Sequence, residues 1–164
     1  MNINDISLGE SVFIDANIFI YHFTGVSQQC NKLLSRCAQD EIAGMTTANI
    51  ILEVNHRLMV LEAANKRLIS QGNLAKKLNN KPEIIQKLSD YQVTLKIPDM
   101  GIKIIPVDIG LYRKSVSYQK KFGLMTNDSI LVAACFDKGS SKIVTRDASF
   151  LGIEGLTVYR PEDV

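Results

Sequence analysis

Cysteine is scarce in this sequence. Cys30, Cys37 and Cys135 form an odd set with no CxxC pair, which excludes a disulfide scaffold and points to buried thiols in a reducing compartment. Cys30 and Cys37 stand too far apart for an i,i+4 zinc pair. His22 and His56 are the only histidines and are not at ligand spacing, so both read as helix-face residues and no His or Cys metal centre is expected. Long apolar runs are also missing: none approaches the ~20 residues that cross a bilayer. The opening MNINDISLGE lacks the basic-then-apolar order of a signal peptide, so a cytoplasmic protein without membrane contact is expected. There is no GxxxxGK or GxGxxG loop, which ranks nucleotide-dependent classes low. A net charge of +2 does not by itself mark a nucleic-acid binder, although a local basic patch can suffice.

What is present suits one soluble domain. Its 164 residues are 46% hydrophobic and 22% charged, enough for a real core. Unbroken apolar runs read as strands covered on both faces. Val12–Asp15, Ile42–Met45, Ile102–Val107, Lys142–Thr145 and an edge strand Leu156–Tyr159 are the candidates. Helical spacing is seen from Ile18 to Phe23, with Asn17 as a cap, and over Gln28–Gln39. Thr46 and Thr47 offer caps for a helix whose stripe is Ile50, Ile51, Val54, Leu58 and Leu61. Asp108 caps a helix through Leu111, Tyr112, Val116 and Tyr118, ending at Gly123. Thr126–Asn127–Asp128 opens another, Ser129–Asp137. The alternation predicts an α/β fold with a mostly parallel sheet of about 4–5 strands and right-handed crossovers. Residues 62–100 are polar and basic, with a helix starting at Pro82 and running through Leu88. They read as a helical insertion within one domain spanning 1–164.

Four acids take equivalent places in that scheme. Asp15 ends the first strand and Asp147 follows a late one. Asp128 lies in the first turn of a helix, where the macrodipole favours an anion. Glu53 lies one to two turns into a helix that starts just past a strand. In a parallel sheet, strand ends and following helix starts share one edge, where open α/β folds place their chemistry. Each acid also has a bland explanation as a cap, a turn residue or a solvated helix position. Clustered carboxylates repel and resist joint ionisation. A hard divalent cation, Mg²⁺ or Mn²⁺, removes that cost with oxygen ligands.

The stretches FIDANIFIY, TTANIILEVNHRL, GLMTNDSILVAAC and IVTRDASF resemble, in order and across nearly the whole chain, the PIN-domain nuclease family, including the toxin ribonucleases of toxin–antitoxin pairs. The resemblance implies a sheet sandwiched between helices (a three-layer α/β/α arrangement), a Mg²⁺ or Mn²⁺ centre and hydrolysis of RNA phosphodiester bonds. It makes Asp15, Glu53, Asp128 and Asp147 the acidic quartet. Asp15 and Asp128 would hold metal directly, Glu53 and Asp147 through water or a second ion. Thr145 matches a hydroxyl position lining such sites, and Asn17 a polar position after the first acid. Products with 5′-phosphate and 3′-hydroxyl ends are implied, as are a small antitoxin partner and a homodimer. The 62–100 segment is longer than a compact toxin of this family requires, so an RNA-processing nuclease is a second reading.

Arg57, Lys120, Lys121 and Arg146 lie near the inferred site in sequence and are candidates for gripping phosphates, against the plainer reading of lysines on a solvated helix. Tyr112, Tyr118 and Phe122 fit core packing better than base stacking. A haloacid-dehalogenase-type phosphatase also has Asp after a strand. It carries a second Asp two residues on, where this chain has Asn17. A non-catalytic RNA- or protein-binding module is disfavoured by the intact acids.

Overall fold

The computed structural model describes residues 1–70 and 72–164. Gln71, inside the predicted insertion, lies outside the described residues. The chain runs β1 (Ser11–Ile14), α1 (Ala16–Phe23), α2 (Gln28–Ala38), β2 (Ala43–Thr47), α3 (Ala48–Asn65), α4 (Leu74–Asn79), α5 (Pro82–Ile85), β3 (Lys103–Ile105), α6 (Ile109–Phe122), α7 (Thr126–Asp137), β4 (Lys142–Val144) and β5 (Thr157–Tyr159). Short 3-10 turns cover Ile3–Asp5, Asp90–Lys96, Pro98–Met100 and Ala148–Phe150.

Val12, Phe13 and Ile14 are fully buried because β1 is the central strand of a five-stranded sheet of order β3-β2-β1-β4-β5. Every pairing is parallel, as the unbroken apolar runs predicted. The chain moves outward from β1 to β3, then crosses back to β4 on the other side of β1. Right-handed crossovers in opposite directions put their helices on opposite faces, giving three layers. α7 packs across β1, β2 and β4, and α2 packs on β2. Phe13, Phe19 and Phe150 are the largest fully buried side chains, each worth about 1.5–3 kcal/mol of transfer free energy. Gly44 admits the close approach of α2 to β2: a Cβ there would meet Ile102 Cδ1 at 2.6 Å and Cys37 Sγ at 2.9 Å. All three cysteines are buried and free, and burial pushes each thiol up to about 11.

Several boundaries differ from expectation for local reasons. β2 extends to Thr47 because Thr46 sits in the ladder and donates its hydroxyl to the Ile14 carbonyl at 2.8 Å. Thr47 occupies the cap position of α3 without a side-chain cap bond. The cap of α1 is Asp15, whose carboxylate accepts from the Ala16 N–H; Asn17 lies inside the first turn. α7 begins at Thr126 rather than Ser129. On α6, Asp108 caps through the Leu111 N–H at 2.8 Å and Gly123 closes in the left-handed region at φ 68°, as predicted. Tyr112 and Val116 do not face the core: with Ile109 they form an exposed apolar stripe, while Leu111 and Ser115 turn inward.

The helix predicted from Pro82 stops at Ile85 and gives way to 3-10 turns. A buried acid on α3 holds this segment. Glu62, 4% exposed, accepts the N–H groups of Ser89 (2.9 Å), Asp90 (2.9 Å) and Tyr91 (3.4 Å), and pairs with Lys66 Nζ at 2.6 Å. Ala63, Ile69, Leu78 and Leu88 form a small separate apolar cluster beneath it.

Candidate active site

The order β3-β2-β1-β4-β5 has its switch point between β1 and β4, where the chain leaves in opposite directions and a crevice opens at the carboxyl ends. β1 delivers Asp15 there, its N–H donating to the Val144 carbonyl of β4 at 3.1 Å. β4 delivers Thr145, which is fully buried. Thr145 Oγ1 donates to Asp15 Oδ2 at 2.6 Å and accepts the Asp147 N–H at 3.0 Å. Asp147 in turn accepts the Ser149 N–H at 2.8 Å, capping the short turn after β4.

Asn17 links the two strand ends. Its Nδ2 donates to Asp15 Oδ2 at 2.5 Å and reaches Thr145 Oγ1 at 3.0 Å. Its Oδ1 accepts the Arg146 N–H at 3.1 Å. The amide expected to cap α1 instead organises the loop after β4.

Glu53 comes from α3 and Asp128 from the first turn of α7. Glu53 is held at both oxygens: Arg57 lies 2.8 Å from Oε1 and Asn127 Nδ2 donates to Oε2 at 2.8 Å. Asn49 Nδ2 completes the chain by donating to Asn127 Oδ1 at 3.2 Å. Neither asparagine was singled out in the sequence. Asn127 read as part of a helix start, and its partner acid lies 74 residues away, so no local pattern marks the pair.

The electrostatics tie the quartet together. Burial pushes the Asp15 carboxyl up to about 6, against the lowering bonds from Thr145 and Ala16; repulsion from Glu53 and Asp147 adds to the rise. Asp128 is also pushed up to about 6, by burial and then by the charges of Asp15, Asp147 and Glu53, with Arg57 opposing. Among the described residues no three His, Cys, Asp or Glu side chains already form a metal-holding group. The acids are close enough to repel through the crevice yet spread around it.

The basic candidates divide. Arg57 reaches the acids. Arg146 enters the loop through its backbone, and its Nε donates to the Val164 carbonyl at 2.8 Å. Lys120 and Lys121 occupy the last turn of α6. Lys121 lies 3.5 Å from Glu154 and 4.8 Å from the centre of the Phe122 ring; neither lysine contacts the quartet. Tyr118 stacks on Phe122 and both pack against the core, so they are not base platforms.

An open parallel sheet with coupled carboxylates at its switch point defines an α/β protein whose polar centre suits a hard cation. Residues 12–156 match the PIN domain family, and the chain belongs to that family. Among its relatives, "Ribonuclease VapC2" of Methanocaldococcus jannaschii is 25% identical over 90% of this chain and 91% of its own length. "Ribonuclease VapC6" of the same organism is 22% identical over 92% and 97%. The fold is that of VapBC2 from Rickettsia felis, solved bound to a promoter DNA fragment, with a TM-score of 0.57 at 14% identity over 92% of this chain and 98% of that one.

Proposed function

We propose that this protein is a divalent-metal-dependent endoribonuclease, with Asp15, Glu53, Asp128 and Asp147 as its acidic centre. The observation that carries the reading is the meeting of Asp15 and Asp147 through the Thr145 hydroxyl at the β1/β4 switch point, with Asp128 and Glu53 near enough for the four charges to raise the Asp15 and Asp128 carboxyls. Such a cluster is unfavourable until a cation neutralises it. The ribonuclease names of the two archaeal relatives support RNA as substrate.

The donor set fits Mg²⁺ or Mn²⁺. Both take hard carboxylate oxygens, and Mg²⁺ keeps several waters while using one or two carboxylates, which suits acids spread around a crevice better than a tight triad would. Asp15 and Asp128 would hold the ion directly, and Glu53 and Asp147 through water. When bound, the ion would lower the pKa of a coordinated water and screen negative charge at phosphorus.

The chain's own residues do the rest. Thr145 and Asn17 orient Asp15 by donating to one of its oxygens. That leaves Oδ1, already bonded to the Ala16 N–H, fixed in direction. Arg57, 58% exposed at its side chain, offers a charge to a substrate phosphate at the mouth of the crevice. Lys120 and Lys121 extend the basic surface farther out.

A solved structure of similar fold, described as a toxin–antitoxin complex from Klebsiella pneumoniae, supports a small antitoxin as partner and a toxin role. The exposed Ile109, Tyr112 and Val116 stripe supports a self-associating surface, which light scattering on the purified chain would detect as a homodimer. No helix among the described residues is long and apolar enough to cross a membrane. The deciding experiment is cleavage of RNA by purified protein with Mn²⁺, with EDTA and as Asp15→Asn. Cleavage that requires the metal and disappears in a folded Asp15→Asn protein supports the reading. Cleavage surviving EDTA or the substitution removes it.

A further inference from the structure

We propose that Asn127, braced by Asn49, is a positioning residue that fixes the Glu53 carboxylate for cation binding; this rests on the acidic centre proposed above. The chain of contacts has only one consistent direction. A carboxylate accepts and never donates, so Asn127 must turn its NH₂ toward Glu53 Oε2, at 2.8 Å. Its own Oδ1 then faces the other way as an acceptor. Asn49 supplies the matching NH₂ at 3.2 Å. An apolar residue at either position would break this relay.

The arrangement places Glu53 against both neighbours of the crevice. Asn127 immediately precedes Asp128 on α7, while Asn49 and Glu53 share α3. One side-chain amide therefore sets the α3 acid relative to the α7 acid. The other hold on Glu53 is Arg57, which is largely exposed; such ion pairs are weakened by solvent, and Arg57 is also the group best placed to leave for a substrate phosphate. Asn127 is half-buried and has no such competing task. After one bond to each oxygen, a carboxylate with about four lone-pair sites still accepts from water around an ion. Groups that orient metal-binding side chains in this way typically tune metal affinity about 10- to 100-fold.

The test is Mn²⁺ binding by full-length protein without RNA, followed by electron paramagnetic resonance, together with thermal unfolding in EDTA. Asn127→Ala is expected to weaken Mn²⁺ binding about 10- to 100-fold, with its melting temperature in EDTA close to wild type. Asn49→Ala, acting through Asn127, should weaken it less and serves as the second variant should Asn127→Ala fold poorly. In a Glu53→Gln background, Asn127→Ala should add nothing, because the amide acts through that carboxylate. Unchanged Mn²⁺ affinity in both folded asparagine variants overturns the proposal, and so does a further loss on adding Asn127→Ala to Glu53→Gln. A wild-type protein that binds no Mn²⁺ overturns the acidic-centre reading as well. A wild type that binds Mn²⁺, with folded asparagine variants that match it, overturns this proposal alone.

Discussion

Thr145 donates its buried hydroxyl to Asp15 across 2.6 Å, joining two residues 130 positions apart at the ends of adjacent parallel strands. The same oxygen accepts the Asp147 N–H, so one hydroxyl sets the direction of one proposed metal ligand and the backbone of another. Thr145→Val keeps the shape and removes both functions. It is expected to cost about 1–3 kcal/mol of stability, because polar partners are left unpaired in a buried place. RNA cleavage should fall by at least an order of magnitude. Thr145→Ser retains the oxygen and should recover most of the activity. Urea unfolding and single-turnover cleavage check both.

Asp15 carries a stability consequence with a defined sign. Its folded pKa is raised from 3.8 to about 6, so the folded state binds the proton more tightly than the unfolded chain does. The associated stability is fully present below about pH 3.8 and is lost as pH rises through about 6. Asp15→Asn cannot ionise and escapes the loss. Its NH₂ must face a donor that the carboxylate accepted, which costs stability at every pH; in EDTA the melting difference should nonetheless shift several degrees in favour of Asp15→Asn between pH 4.5 and pH 7. A melting difference independent of pH would contradict the burial argument.

Cation binding should show the opposite slope. Asp15 and Asp128, both pushed up to about 6, must lose their protons before they can hold a metal. Mn²⁺ affinity is expected to rise steeply between pH 5 and 7, about tenfold or more per unit where a proton is displaced. The two acids interact, so the midpoints belong to the cluster rather than to either residue. Calorimetry in buffers of different ionisation enthalpy would count the protons released.

Glu62 predicts a separate effect, remote from catalysis. Burial works against its ionisation, but the Lys66 ammonium and three backbone N–H groups outweigh burial and hold the carboxyl below its usual value. Its contribution is present at neutral pH and is lost as pH falls through that lowered value. Glu62→Ala should loosen residues 89–91 from α3 and destabilise the protein by about 1–3 kcal/mol, since three part-buried N–H groups lose their shared acceptor. Hydrogen exchange should quicken at Ser89, Asp90 and Tyr91 first, with the amides of β1 still protected.

Much of this was legible in the chain because it depends on short-range chemistry. Val12–Phe13–Ile14 announces a strand covered on both faces, the 3.6-residue spacing of Ile50, Val54 and Leu58 announces a buried helix face, and Asp108 and Gly123 bracket α6. The four acids could be placed at one edge because parallel topology forces strand ends and helix starts to that side. Tertiary structure decided what spacing does not encode. Asn17 became a cross-link between β1 and β4 because a residue far along the chain, Thr145, stands beside it. Tyr112 and Val116 face outward because α7 takes the other side of α6. Asn127 holds Glu53 because two helices meet at the crevice. Local pattern determined which residues are apolar, capping or acidic; the crossing of β1 by the chain between β3 and β4 decided which of them touch.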